Sequence, residues 1–138
     1  MKNIPVALCI DERGGMIFNK RRVSRDRVLI AELVGSVEGK IYISEYSLRI
    51  FEPHKERVVV CDDPIRECPE GAVCFIENTP VEPYLGDISS FIIYNWNTMY
   101  PYDVCFTIDL EKEGFTKVSE SEFEGSSHDN ITKGVYVR

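Results

Sequence analysis

The sequence predicts a single α/β domain spanning residues 1–138, a mixed sheet with a parallel centre, antiparallel C-terminal strands and one main helix. Three observations carry that expectation. Ile4-Pro5-Val6-Ala7-Leu8-Cys9-Ile10 is apolar on both faces of a period-two pattern, as a strand covered on both sides of a sheet requires. Between Ser44 and Phe91 the strand-like runs are separated by eleven to fourteen residues, enough for the crossovers that parallel neighbours need. After Asn97 such runs follow one another with no amphipathic helix between them, which favours antiparallel pairing.

Taken in order, the first strand is placed at the centre of the sheet. Residues 11–27 then leave it as a loop and enter a helix. Ser24 suits the N-cap, Asp26 stands in the first turn where a carboxylate favours the positive helix end, and Ile30, Leu33, Val34 and Val37 form one stripe. The helix is expected over residues 25–37, with Gly39 ending it and Lys40-Ile41-Tyr42-Ile43-Ser44 as the second strand. Residues 45–51 read as one short helix. Val58-Val59-Val60-Cys61, Val73-Cys74-Phe75-Ile76 and Phe91-Ile92-Ile93-Tyr94 are rich in β-branched or aromatic residues and give strands three to five. Pro80 and Pro83 disfavour a long helix in the last crossover. Residues 104–108, 115–123 and 134–138 complete the sheet.

At 138 residues the chain is long enough to bury roughly two thirds of its unfolded surface without a staple. Its formal net charge of −7 repels nucleic acid and anionic membrane, so both are disfavoured as partners. The exception is local: residues 11–27 hold six of the sixteen Lys and Arg residues against three of the twenty-three acids, about +3 beside about −10 for the remainder. The longest apolar run ends at Asp11, far short of a bilayer span, with no small-residue cleavage site, and a cytoplasmic protein is expected. Five cysteines, four of them within or at the edges of apolar runs, read as free and mostly buried thiols. Cys61, Cys68 and Cys74 lack the close spacing of a zinc site, and no metal is expected.

The order of elements, together with several short motifs, resembles dihydrofolate reductase over nearly the whole chain. The first strand followed by Asp11-Glu12-Arg13-Gly14-Gly15-Met16-Ile17 is similar to the family's first strand and flexible loop, Asp-x-x-Gly-x-Ile-Gly. Gly39-Lys40-Ile41-Tyr42-Ile43 is similar to its Gly-Lys-Pro-Val-Ile-Met strand. Asp109-Leu110 with residues 114–122 resembles its closing hairpin. The resemblance implies that fold, NADPH as cofactor and folate as substrate, and the departures fall on the parts that would hold them. Where the family has a Gly-Gly pair under the pyrophosphate, Asn95-Trp96 follows the fifth strand. Ser44-Glu45-Tyr46-Ser47 replaces Gly-Arg-x-Thr after the second, and Asp62-Asp63 follows the third. NADPH is therefore disfavoured and no cofactor is expected. Asp26 is the residue that could match the folate-binding acid, but the Trp and both Pro of that motif are missing. The first loop is also similar to that of short proteins labelled ribonuclease Z. A phosphodiesterase of that class needs a His-x-His-x-Asp-His cluster, and this chain has only His54 and His128.

Three readings follow. The first is a reductase-like domain without the reaction, binding a small anionic ligand where the strands end, with Asp11, Arg21, Arg22, Arg25, Arg27, Asn95, Trp96 and Tyr100 lining the site. The second is an enzyme of unknown reaction in the same cleft, with Asp26 handling the proton. The third is a weak nucleotide or RNA binder acting through the Arg cluster. Ser126-Ser127-His128-Asp129 reads as a polar turn before the last strand, because adjacent residues do not form a hydrolytic triad.

Overall fold

The computed structural model describes residues 3–11, 14–18, 21–22, 26–77, 81–97, 104–106, 108–126 and 128–138, and for 17, 18, 21, 22, 104 and 105 the backbone alone. Strand β1 (Ile4–Ile10) lies at the centre, hydrogen-bonded in parallel to β6 (Val73–Ile76) on one side and to β7 (Ile88–Asn95) on the other. Beyond β6 come β4 (Ile41–Ile43) and β5 (Val58–Val60), both parallel to their neighbours. Beyond β7 come β10 (Ile131–Val137) and β9 (Thr116–Phe123), both antiparallel. The seven-stranded order is β5-β4-β6-β1-β7-β10-β9, a parallel centre with an antiparallel C-terminal edge.

Period-two alternation in β1 divides the core. Ile4, Val6 and Leu8 face a cluster with Met16, Ile65, Cys68, Cys74 and Phe91. Ala7 faces the other side, where α1 (Arg27–Ser36) buries Leu29, Ile30, Leu33 and Val34 against Phe51, Phe75, Tyr94 and Trp96.

Four details differ from the sequence reading. The N-cap of α1 is Asp26, not Ser24: its backbone is extended (φ −153°, ψ 120°) and its carboxylate accepts from the amides of Val28 and Leu29, a charge-assisted cap stronger than a hydroxyl's. At the other end Gly39 is not a left-handed cap; Arg57 reaches back and donates to Val37 O at 2.7 Å and Gly39 O at 2.9 Å, just past the helix end. The short helix expected over 45–51 is a 3-10 segment running from Glu45 to Arg57, kinked at His54 after Pro53. The loop after β1 is not plain loop. It contains β2 (Gly15–Phe18) and β3 (Arg21–Arg22), and β2 also pairs with β8 (Val104–Cys105), which therefore leaves the main sheet. Gly14 makes this possible at φ +83°, since a Cβ there would lie 2.6 Å from the Phe106 carbonyl oxygen.

A one-turn helix, α2 (Pro64–Glu67), leads to β6, and a 3-10 segment, Glu82–Asp87, leads to β7, so that last connection contains no long helix. Among the described residues no helix is long and apolar enough to cross a membrane.

Candidate functional site

Strand order places the crevice. The connection from β1 leads to β4 on one side of it, and the connection from β6 leads to β7 on the other, so the chain reverses its winding between the carboxyl ends of β1 and β6. The residues emerging there are Cys9, Ile10 and Asp11 from β1 and Glu77 after β6. The sequence reading had placed the site where Asp11 and Asn95-Trp96 leave their strands; the end of β6 was not in it, because strand order across a sheet is not visible in the order of strands along the chain.

Asp26 forms the floor. It is 3% exposed, and its Oδ1 accepts four hydrogen bonds: from Val28 N at 2.9 Å, Leu29 N at 3.2 Å, Ser126 N at 2.8 Å and Ser126 Oγ at 3.1 Å. His128 Nδ1 lies 3.4 Å from Oδ2, and the His128 ring stacks on Trp96 at 4.4 Å between centroids and 27° between planes. The β9–β10 turn is thus clasped onto the start of α1. Gly125 permits the approach, since a Cβ there would stand 2.2 Å from Asp26 Oδ2.

Serine, histidine and aspartate meet here, but in an order that activates nothing. A hydrolytic relay needs the histidine between the other two; here the carboxylate is in the middle and both partners address it. The carboxylate is likewise poorly placed for the proton-handling role considered above, with helix and turn donors already directed at it. Glu77 accepts from Ser47 Oγ at 2.7 Å. Burial, then the charges of Glu77 and Asp26, push the Cys9 thiol well above its ordinary pKa, which keeps it protonated and poorly nucleophilic.

Around this floor the space is narrow. Cys9, Asp26, Ile50, Phe75, Glu77 and Trp96 are among the residues enclosing an inner cavity of about 20 Å³, room for a single water. Outside it, sharing Asp26, Ile30 and Ile50, a groove of about 380 Å³ opens between α1 and the 3-10 segment Glu45–Arg57, with Arg27, Arg49, Pro53 and Ser126 along it. It continues into an almost wholly apolar stretch past Val28, Ala31 and His54.

The described residues among those expected to line a site do not converge on one place. Asp11 is fully buried and turned into its own loop, its Oδ1 accepting from Gly15 N at 2.7 Å. Arg21 and Arg22 lie on β3; Arg25 and Tyr100 fall outside the described residues. Asn95 Oδ1 accepts from Asn97 N at 2.8 Å. Trp96 is 3% exposed, a core ring under His128 and not a wall of an open cleft. Arg27 of the Arg cluster lines the groove. The sequence reading missed Ser47, Arg49, Glu77, Ser126 and His128. Only the last two had a signal, the polar stretch 126–129, and nothing local tied it to a residue a hundred positions earlier.

Among solved structures, dihydrofolate reductase from Enterococcus faecalis complexed with NADP(H) and RAB-propyl is similar to this chain at a TM-score of 0.69 and 10% identity, the match covering 99% of this chain and 96% of that one. No protein-family model and no curated protein matches the sequence. The fold is therefore that of dihydrofolate reductase, in a divergent form, and an identity this low speaks for the fold alone.

Proposed function

We propose that this chain is a dihydrofolate reductase-like protein without reductase activity, which binds a small anionic molecule with an apolar body in the groove between α1 and the 3-10 segment. The observation that carries the reading is the occupation of Asp26 by the protein's own donors. A ligand requiring that carboxylate would have to displace Ser126 and His128 and widen a cavity with room for one water. NADPH meets a second obstacle. Glu77 follows β6, Glu45 follows β4 and Asp62-Asp63 follows β5, so three adjacent parallel strands end in carboxylates on the side where a dinucleotide's phosphates would rest. Residues 77, 62 and 45 do not fit the cofactor.

The groove suits a different ligand. Its length is apolar, and Arg27 and Arg49, both exposed, stand where a planar fork would grip a carboxylate or phosphate. Thermal shift with NADPH, folate, a short RNA and phenyl phosphate, a ring carrying an anion, tests the reading. Phenyl phosphate at 100 times its dissociation constant should stabilise the protein by about 2.7 kcal/mol. The double variant Arg27→Ala/Arg49→Ala should lose most of that shift, and NADPH and folate should give none. A clear NADPH response overturns the reading, as does phenyl phosphate binding that survives loss of both arginines.

A further inference from the structure

The main sheet has two edges of different character. Among the described residues no strand lies beyond β9 on one side or beyond β5 on the other. The β9 edge is guarded. Its pairing with β10 steps from Ser119 opposite Val135 to Lys117 opposite Tyr136, which leaves Val118 as a bulge, and Lys117, Glu120 and Glu122 stand exposed along it. The β5 edge has neither device: it is Val58-Val59-Val60, with Val60 43% exposed. We propose that two copies of this chain join edge to edge through β5, antiparallel about a two-fold axis at Val60, so that their sheets continue as one.

Backbone direction decides the register. Cys61 N donates to Ile43 O at 2.9 Å, so Cys61 and, by alternation, Val59 turn their peptide groups toward β4. Val58 and Val60 turn theirs outward. Val58 N donates back to Lys55 O at the end of the 3-10 segment, which leaves Val58 O and both backbone groups of Val60 directed past the edge. Antiparallel pairing about Val60 uses these three groups. Val60 N donates to Val60 O of the second copy and Val60 O accepts the same bond in return, while Val58 O faces the amide of Asp62 in the second copy. A pairing centred on Val59 would set Val58 N against Val60 O, and Val58 N is already engaged. Charge selects the direction and the partner. Residues 55–57 before the strand carry net +1 and residues 61–63 after it net −2. Antiparallel copies lay each basic end beside the other's acidic end, whereas parallel copies would lay like on like. A strand complementary to itself in this way closes a two-fold dimer with its own copy and leaves no open end to propagate. With one short strand from each copy the contact is small, so the dimer forms and separates with protein concentration.

The test is a site-directed cross-link in the full-length chain. Val60→Cys/Cys61→Ser places one new thiol from each copy on the two-fold axis, where an antiparallel hydrogen-bonded pair sets the Cα atoms about 5.5 Å apart, within the span a disulfide bridges. Copper-phenanthroline oxidation should give a covalent dimer, and peptide mapping should find residue 60 joined to residue 60. Val118→Cys on the opposite edge, treated alike, should stay monomeric. In sedimentation velocity the unmodified protein should move from monomer toward twice that mass as its concentration rises to about 1 mM. Val60→Pro, which deletes the outward amide at an edge position that tolerates proline, should stay monomeric with an unchanged circular dichroism spectrum. Unmodified protein that remains monomeric throughout that range overturns the proposal. So do equal cross-linking at both edges and a dimer that persists in Val60→Pro.

Discussion

The inner cavity and the outer groove adjoin through Asp26, Ile30 and Ile50, yet they are opposite in kind. Inside, the polar groups answer one another: Asp26 takes donors from a helix end and a turn, and Glu77 takes one from Ser47. Outside, apolar side chains and two exposed arginines face solvent. Buried polar groups must be satisfied, and a site that satisfies them with its own residues holds its shape but offers little to a ligand. Here the Asp26 carboxylate holds the start of α1 against the β9–β10 turn.

The largest effect that would test this contrast is Asp26→Ala. It leaves the amides of Val28, Leu29 and Ser126 without their acceptor and should cost about 3–5 kcal/mol in urea denaturation. Asp26→Asn, which keeps an acceptor oxygen, should cost about 1–2 kcal/mol. Equal losses, or a loss below about 1 kcal/mol for alanine, would mean that the clasp is not what holds the inner region.

Next is Gly125→Ala. The added methyl must push aside both Asp26 and Ile131, at about 1–3 kcal/mol, and Trp96 fluorescence should change because His128 moves off the single indole of the chain. An unchanged melting point and emission spectrum would place the turn farther from Asp26.

Alkaline pH probes the second inner anchor. Tyr94 donates to Glu32 of α1, which also pairs with Lys133 of β10 at 2.8 Å. Burial, then the Glu32 carboxylate, push the Tyr94 hydroxyl far above its ordinary range, so the fold favours the neutral form. Above about pH 10 the unfolded tyrosine releases its proton and the folded one does not; stability from this group is complete below that pH and falls above it, by up to about 1.4 kcal/mol per pH unit. Cys9 and Cys74 act in the same direction. Tyr94→Phe should therefore flatten the decline between pH 10 and 11, and an unaltered slope would remove Tyr94 from the account.

Arg49→Ala should change stability least, within about 0.5 kcal/mol, since it is exposed, while weakening an anion in the groove. A destabilisation above that would make Arg49 part of the frame, not of the binding surface.

Much of the frame was legible because it rests on local rules. Ile4–Ile10 and Val73–Ile76 were read to the residue, and α1 and the antiparallel edge to within a few, from apolar runs and a helical stripe. Asp26 was assigned to helix-end electrostatics, and it is the cap itself. Its other role was hidden, because Ser126 and His128 lie a hundred residues away and look like any polar turn. Of the cationic run, Arg27 lines the groove, and the arginine that joins it there is Arg49, outside that run.

Apolar periodicity, charge balance and strand spacing by themselves determined a mixed α/β sheet around a buried first strand, since burial of alternating side chains depends only on the order of residues. Which strands are neighbours, where the winding reverses, and whose donors reach Asp26 were decided only in three dimensions, because those are contacts between segments far apart in the chain, and hydrogen-bond geometry does not depend on sequence distance.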